Sequence, residues 1–297
     1  MSMRRPILAG AFAHRSFAVG LALTAALAST AALSLLWTPA SPYLVDVAHR
    51  LEPPSAAHWL GTDSLGRDVI SMLMAGAQNS ILAGIIAVAI GAALGTILGM
   101  VAAAERGWVE EGIMRLADFA FAFPAILSAI MLTALLGPGL VNAIIAIGIF
   151  NVPIFARVTR GAAKVVWERD FVLAARAIGR DRLGITLIHV LPNILPTIIV
   201  QATIAFASAI LWEAALSYLG LGTQPPQPSW GRMLNEAQAQ LFQAPWLALF
   251  PGFAIMLSVL GLNLLGDALR DLIDPRLARQ TLTREAASPG SEQRREA

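Results

Sequence analysis

The side chain best placed for chemistry is Glu213, set in the apolar run ILWEAALSYLGLG. A carboxylate is costly in such a run, and where one occurs it commonly binds a cation, relays a proton or lines a solute path. Glu213 lies near the outer end of its run, where water is expected to reach it. An interfacial structural role therefore stands beside a role in a pathway or its gate. Asn151, beside Pro153 in another apolar run, is a second candidate for a pathway, or for a hydrogen bond between helices. Beyond these two, reactive chemistry is scarce. The chain has no cysteine, which excludes disulfides, thiolate zinc sites and thiol nucleophiles. Its four histidines, His14, His49, His58 and His189, are far apart and divided between the two ends of the apolar runs, so no metal site is expected. No Ser/His/Asp set or facing pair of carboxylates emerges, and no catalytic residue is assigned. A phosphate-binding loop needs Gly-Lys followed by Ser or Thr, so that backbone amides and the lysine hold the phosphates. The only lysine, Lys164, stands between Ala163 and Val165, and the chain has no such ATP site.

Charge is concentrated in one place. Eleven ionisable side chains lie between Arg157 and His189, in a chain only 13% charged. Within this island runs FVLAARAIGRDRLGITLIHVLPN, residues 171–193. Phe171, Val172, Ala175 and Ile178 approximate a helical stripe, and Gly179 suits the left-handed position just after a helix. A second short helix, 182–190, is expected to stop at Pro192. Spacing alone leaves two readings open. The segment either lies on anionic lipid as an amphipathic linker, or forms a compact projection that a protein partner grips.

The elements that carry these residues follow from composition. Hydrophobic residues make up 57% of the 297, beyond the roughly 45–50% of soluble domains, so the chain is integral to a membrane. The net charge of +2 gives no reason to expect nucleic acid. About 20 helical residues cross a hydrocarbon core of about 30 Å, and six runs meet that length: roughly 17–37, 80–103, 115–136, 141–157, 193–216 and 246–268. None alternates as a barrel strand does, so the class is an all-α integral membrane protein with six transmembrane helices. Pro124, Pro153 and Pro251 are expected to kink spans without abolishing them. With the N-terminus inside, 18 of the 21 Lys and Arg residues fall on the cytoplasmic side, leaving Arg50, Arg67 and Arg232 outside. Both termini are therefore expected in the cytoplasm. The first run is longer than the core of a cleaved signal and is expected to be a retained span.

The organisation that results is an N-terminal tail over 1–16, a first span with a long outer segment over 17–79, a core over 80–270 and a polar, disordered tail over 271–297. Gly91, Gly95 and Gly99 recur every four residues and let helix backbones approach closely. Trp37, Trp59, Trp108, Trp230 and Trp246 are placed near the interfaces, as aromatic belts are. Asp118 and Asp267, near cytoplasmic ends, are expected to be solvated or paired with Arg115 and Arg270.

Several motifs carry a resemblance. Ala174-Ala175, Gly179 and Leu191-Pro192 resemble the cytoplasmic loop of bacterial ABC importer permeases, with Leu173 where that family has glutamate and His189 where it has isoleucine. Gly61-Thr62-Asp63 with Gly66-Arg67-Asp68 is similar to the outer-face signature of dipeptide, oligopeptide and nickel permeases. So is Leu219-Gly220-Leu221-Gly222 with Pro225-Pro226 and Trp230-Gly231. The end of the last span, Asn263 to Asp267 with Arg270-Asp271 and Asp274-Pro275-Arg276, resembles the second (C-type) permease of such systems. Met72 and Gln78 stand where that group has arginines.

The resemblance implies the type I importer fold and a coupling loop, 158–192, with Ala174, Ala175, Gly179, Arg180, Asp181, Leu191 and Pro192 facing an ATPase. It also implies a heterodimer with a second permease, two ATPase subunits that bind ATP and Mg, an extracytoplasmic substrate-binding protein and a place in the bacterial inner membrane. No cofactor is expected in this chain itself. Short peptides are the expected solute, with nickel, glutathione or another small solute as alternatives. An ion-coupled secondary transporter is the rival class, and it would need acidic groups near the bilayer midplane.

Overall fold

The computed structural model describes residues 15–273, and every regular element among them is helical. The helices are α1 (Arg15–Ser34), α2 (Val69–Glu105), α3 (Gly107–Phe121), α4 (Ala125–Leu136), α5 (Leu140–Trp167), α6 (Asp170–Ala177), α7 (Arg182–Ile185), α8 (Leu191–Tyr218), α9 (Trp230–Ala237) and α10 (Trp246–Ile273). Five helical stretches are long and apolar enough to cross a membrane, and α3 with α4 forms a sixth only as a bent pair. The motif residues Asp274, Pro275 and Arg276, together with residues 1–14 and 277–297, lie outside the described residues.

The expected spans are displaced in ways that packing explains. The second run begins at Val69, eleven residues before position 80, because Asp68 caps the helix by accepting from the Ser71 amide at 3.0 Å. Gln78, Asn79 and Ser80 interrupt the apolar sequence near the start of this helix, yet are not left to solvent. Each has a protein partner instead: Ser34, the Pro228 carbonyl and Glu213 respectively. At 1.5 Å per residue, the 37 residues of α2 extend about 55 Å, well beyond the roughly 30 Å of a hydrocarbon core.

The third run is not one helix. Its chain turns by 87° between α3 and α4, across Ala122–Pro124. Proline has no amide hydrogen to continue the ladder, and Pro124 takes an extended ψ of 123°. Pro124 was expected to kink the span and in fact breaks it. Pro153 and Pro251, by contrast, sit inside continuous helices. The second short helix does not stop at Pro192 either. Arg182–Ile185 runs into a π-helical turn, Thr186–Val190, and then directly into α8. The Leu191 amide donates to the Thr186 carbonyl, five residues back, and the widened turn admits proline at the start of the next helix.

The centre of the bundle is α2 packed on α5. An added Cβ at Gly91 would fall 2.3 Å from Cβ of Asn151, at Gly95 2.5 Å from Cβ of Phe155, and at Gly99 2.7 Å from Cβ of Thr159. The four-residue glycine ladder therefore meets a four-residue ladder on its neighbour, and that contact lies within the subunit. The packing on Gly91 also buries Asn151, whose amide donates to the Ile147 carbonyl of its own helix at 3.0 Å. On the far side of the bundle α1 lies against α10, where Gly20 and Gly261 each face the other helix at backbone distance.

Candidate functional site

The polar island forms the end of the molecule below α5. Helix α6 is closed by paired bonds, Gly179 N–H to the Arg176 carbonyl at 3.0 Å and Arg180 N–H to the Ala175 carbonyl at 3.1 Å. This pattern requires a left-handed residue after the helix, and Gly179 has φ +83° with open space around it. Asp181 then starts α7 by accepting from the Gly184 amide at 3.2 Å. Val172, Ala175, Ile185 and Val190 are buried and fasten the corner to the bundle. Ala174, Gly179, Arg180, Asp181 and Pro192 are exposed and Leu191 is half-buried.

Its outer face combines apolar groups with charge. Phe171, Leu173, Ile178 and Leu183 are exposed, the last two at 83% and 66%. Arg176 and Arg180 have no ion-pair partner among the described residues. A surface that shows large apolar side chains beside unpaired cations is suited to protein contact.

The opposite end is built differently. All six signature residues, Gly61, Thr62, Asp63, Gly66, Arg67 and Asp68, are buried. Asp63 accepts from the Leu65 and Arg67 amides and from Nε of Arg67, at 2.9, 2.8 and 2.6 Å. Arg67 then reaches Glu236 of α9 at 2.6 Å, and Arg232 holds the other oxygen of Glu236 at 2.8 Å. Thr62 accepts from the Glu52 amide and donates to the His49 carbonyl. Asp68 binds His58 at 2.9 Å and Ser71 at 2.6 Å. Gly66 has φ +76°, and a Cβ there would fall 1.7 Å from the Asp46 carbonyl oxygen, so no other residue fits. These residues tie a loop to two helices and present no side chain to an outside partner.

Glu213 is not reached by water. It is fully buried, and its carboxylate accepts from Ser80 of α2 at 3.2 Å, Ser217 of its own helix at 2.7 Å and Thr223 of the following loop at 3.2 Å. Three hydroxyl donors supply what solvent was expected to supply. Trp230, expected at an interface, is also buried, with its indole N–H on the Leu73 carbonyl at 3.0 Å. Trp37, Trp59 and Trp108 are exposed.

Sequence reasoning missed a third group. Glu110 of α3 accepts from Arg160 and Lys164 of α5 at 2.5 Å each, Asp118 pairs with Arg157, and Arg182 reaches Glu105 at 2.7 Å. Arg115 pairs with Glu111 rather than with Asp118, and Asp267 is exposed. The available signal was Lys164 itself, a sole lysine facing no acid nearby in sequence except Glu168.

The geometry is that of a helical membrane bundle with a short helical corner at one end and a buried loop network at the other. Comparison with known proteins places it further. Residues 95–279 match the family described as binding-protein-dependent transport system inner membrane component. The chain is 46% identical over 259 residues to the dipeptide transport system permease protein DppC of Alkalihalophilus pseudofirmus, covering 87% of this chain and 85% of that one. It is 49% identical over 224 residues to the glutathione transport system permease protein GsiD of Escherichia coli O6:K15:H31, covering 75% and 74%. Its fold is that of the MetNI methionine ABC transporter in inward-facing conformations, with TM-score 0.57, 18% identity, and coverage of 68% of this chain and 97% of that one. The chain belongs to the family of inner-membrane components of binding-protein-dependent transport systems, and is the permease of an ABC importer with the type I fold.

Proposed function

We propose that this permease carries short peptides, and that it works as one half of a heterodimer driven by two ATPase subunits that hold ATP and Mg. Relatives named for dipeptide and for glutathione transport, at 46% and 49% identity, support a peptide-type solute. Glutathione, itself a tripeptide, is the second reading that those names favour.

The observation that carries the coupling is the α6–Gly179–α7 corner. Ala174, Ala175, Gly179, Arg180, Asp181, Leu191 and Pro192 form the segment that an ATPase would grip, because the corner is fastened inwardly by buried residues and offers apolar and cationic groups outwardly. A handle must be stiff and accessible at once, and the paired bonds that close α6 make it stiff. The arginine excess at this end supports a cytoplasmic location, with both termini on the same side. The opposite end, including segments 38–79 and 217–245, faces the substrate-binding protein. There the buried signature from Gly61 to Asp68 holds the surface in shape rather than touching the partner. Glu213 and Asn151 are buried in the subunit and act on the pathway through packing. Helix α1, seated on α10 at backbone distance, remains part of the assembled subunit.

Proteoliposomes containing the full transporter test this. Labelled dipeptide should accumulate only with ATP inside and binding protein outside, and excess dipeptide should compete better than glutathione. Accumulation driven by an ion gradient in the permease alone would instead support the secondary-transporter class.

A further inference from the structure

Glu110 is the only carboxylate among the described residues shared by two cations of one neighbouring helix. Only 13% of its side chain is exposed, and it receives Arg160 and Lys164, one helical turn apart on α5. Two turns further along α3, Asp118 pairs with Arg157, whose guanidinium also lies 4.2 Å from the centre of the Phe121 ring. Helix α3 is thus fixed along its length to the lower part of α5, and α5 leads within three residues into α6.

The next helix is held otherwise. At Ala122–Pro124 the chain bends by 87°, and α4 makes no ion pair. Between the two arms of this elbow and α2 and α5 lies a cavity of about 760 Å³, lined by apolar groups including Ile113, Ala117, Phe123, Met131, Leu135 and Pro153. The side-chain bond that joins α4 to α5, from the Asn142 amide to the Leu136 carbonyl at 3.0 Å, is exposed and lies at the far end of α4 from the elbow, so α4 can change its angle without leaving a buried donor or acceptor unpaired. One arm is fastened by charge to the stem of the corner, and the other borders open apolar space.

We propose that Glu110 is a positioning residue that straps α3 to α5, so that displacement of the α6–α7 corner swings α4 about the Pro124 elbow. The proposal rests on the reading of that corner as the ATPase handle and adds the route by which its motion enters the membrane. Motion of α6 displaces Arg160 and Lys164, Glu110 carries α3 with them, and the proline break converts a shift of α3 into a rotation of α4. The cavity is the space into which α4 moves.

The absence of cysteine allows labels to be placed one pair at a time in the full transporter. Gly112 of α3 and Gly161 of α5 have nothing within 4 Å of an added Cβ, and Leu135 of α4 is 82% exposed. Spin labels at Gly112→Cys with Gly161→Cys should keep their separation within about 2 Å between nucleotide-free and ATP-trapped states, whereas Gly112→Cys with Leu135→Cys should shift by more than about 5 Å. A shift in the first pair, or a fixed second pair in a transporter that still takes up solute, overturns the strap and elbow while the handle stands. Loss of the ATPase from the complex on changing Arg180 concerns the handle alone. In a second test, Glu110→Lys should lower solute taken up per ATP hydrolysed about tenfold at equal membrane abundance. Adding Lys164→Glu should restore most of it, and unchanged uptake in the single variant would also overturn the proposal.

Discussion

The two ends of this permease solve the problem of polar groups in opposite ways. At the Glu213 end, charge is buried and satisfied: Glu213 by three hydroxyls, Asp63 by Arg67 and two amides, Arg67 by Glu236. At the arginine-rich end the ion pairs other than those of Glu110 are exposed, and Arg176 and Arg180 have no ion-pair partner among the described residues. A buried network has one arrangement of low energy, because any other strands a donor or acceptor. Exposed pairs exchange with water at little cost. The first end therefore keeps one shape, and the second is the end at which the proposed partner would take hold.

The strongest way to break this contrast is at Gly66. Ala in its place would put a Cβ on the Asp46 carbonyl in a left-handed backbone, and a cost above about 3 kcal/mol should nearly abolish folded protein in the membrane, read by fluorescence-detected size exclusion. Next comes Glu213→Ala, which strands three buried hydroxyls and opens a void. It should cost about 2–3 kcal/mol, read as a lowered Tm of the purified complex, with Glu213→Gln costing less than half as much. At the other end the effects should be on coupling more than on stability. Gly179→Val forces a left-handed valine at about 1–2 kcal/mol, but it meets nothing in space. Membrane abundance should be nearly unchanged and Tm lowered by less than in Glu213→Ala, while uptake per ATP falls.

Smaller still is Arg182→Ala, which removes an exposed pair with Glu105 and should alter stability by about 0.5 kcal/mol or less. The least effect is expected at His49, whose imidazole is held above its ordinary value of 6.5 by its hydrogen bond to the Asp46 carboxylate. That contact is fully formed below pH 6.5 and is lost as pH rises through the raised value. A slight fall of Tm across that range should disappear in His49→Ala. A large fall would mean that the exposed loop carries more of the outer end than its burial suggests.

Features written locally or periodically could be read from the chain. Gly179 marked its own turn, the ladder of Gly91, Gly95 and Gly99 marked a close helix contact, and the arginine distribution marked one end. Long-range pairings had no such mark. Glu213 is separated from Ser80 by 133 positions, and Glu110 from Lys164 by 54, so burial of the one and the strap of the other depend on the assembled bundle. A charged residue such as Arg67 looks solvated until Glu236 is known to sit beside it. Prolines were ambiguous for the same reason. Pro153 is carried by helix packing on α2, whereas Pro124 has weaker support on either side and breaks its span.

The central question for this permease is whether the α6–α7 corner is the part held by an ATP-hydrolysing partner. A photo-crosslinking residue in place of Arg180 or Leu183, illuminated in native membranes, measures this directly. Capture of an ATPase subunit from these two positions, and not from Phe242 at the far end, is the expected result. Equal capture from both ends, or none from the corner in a transporter that still imports solute with ATP, would contradict it.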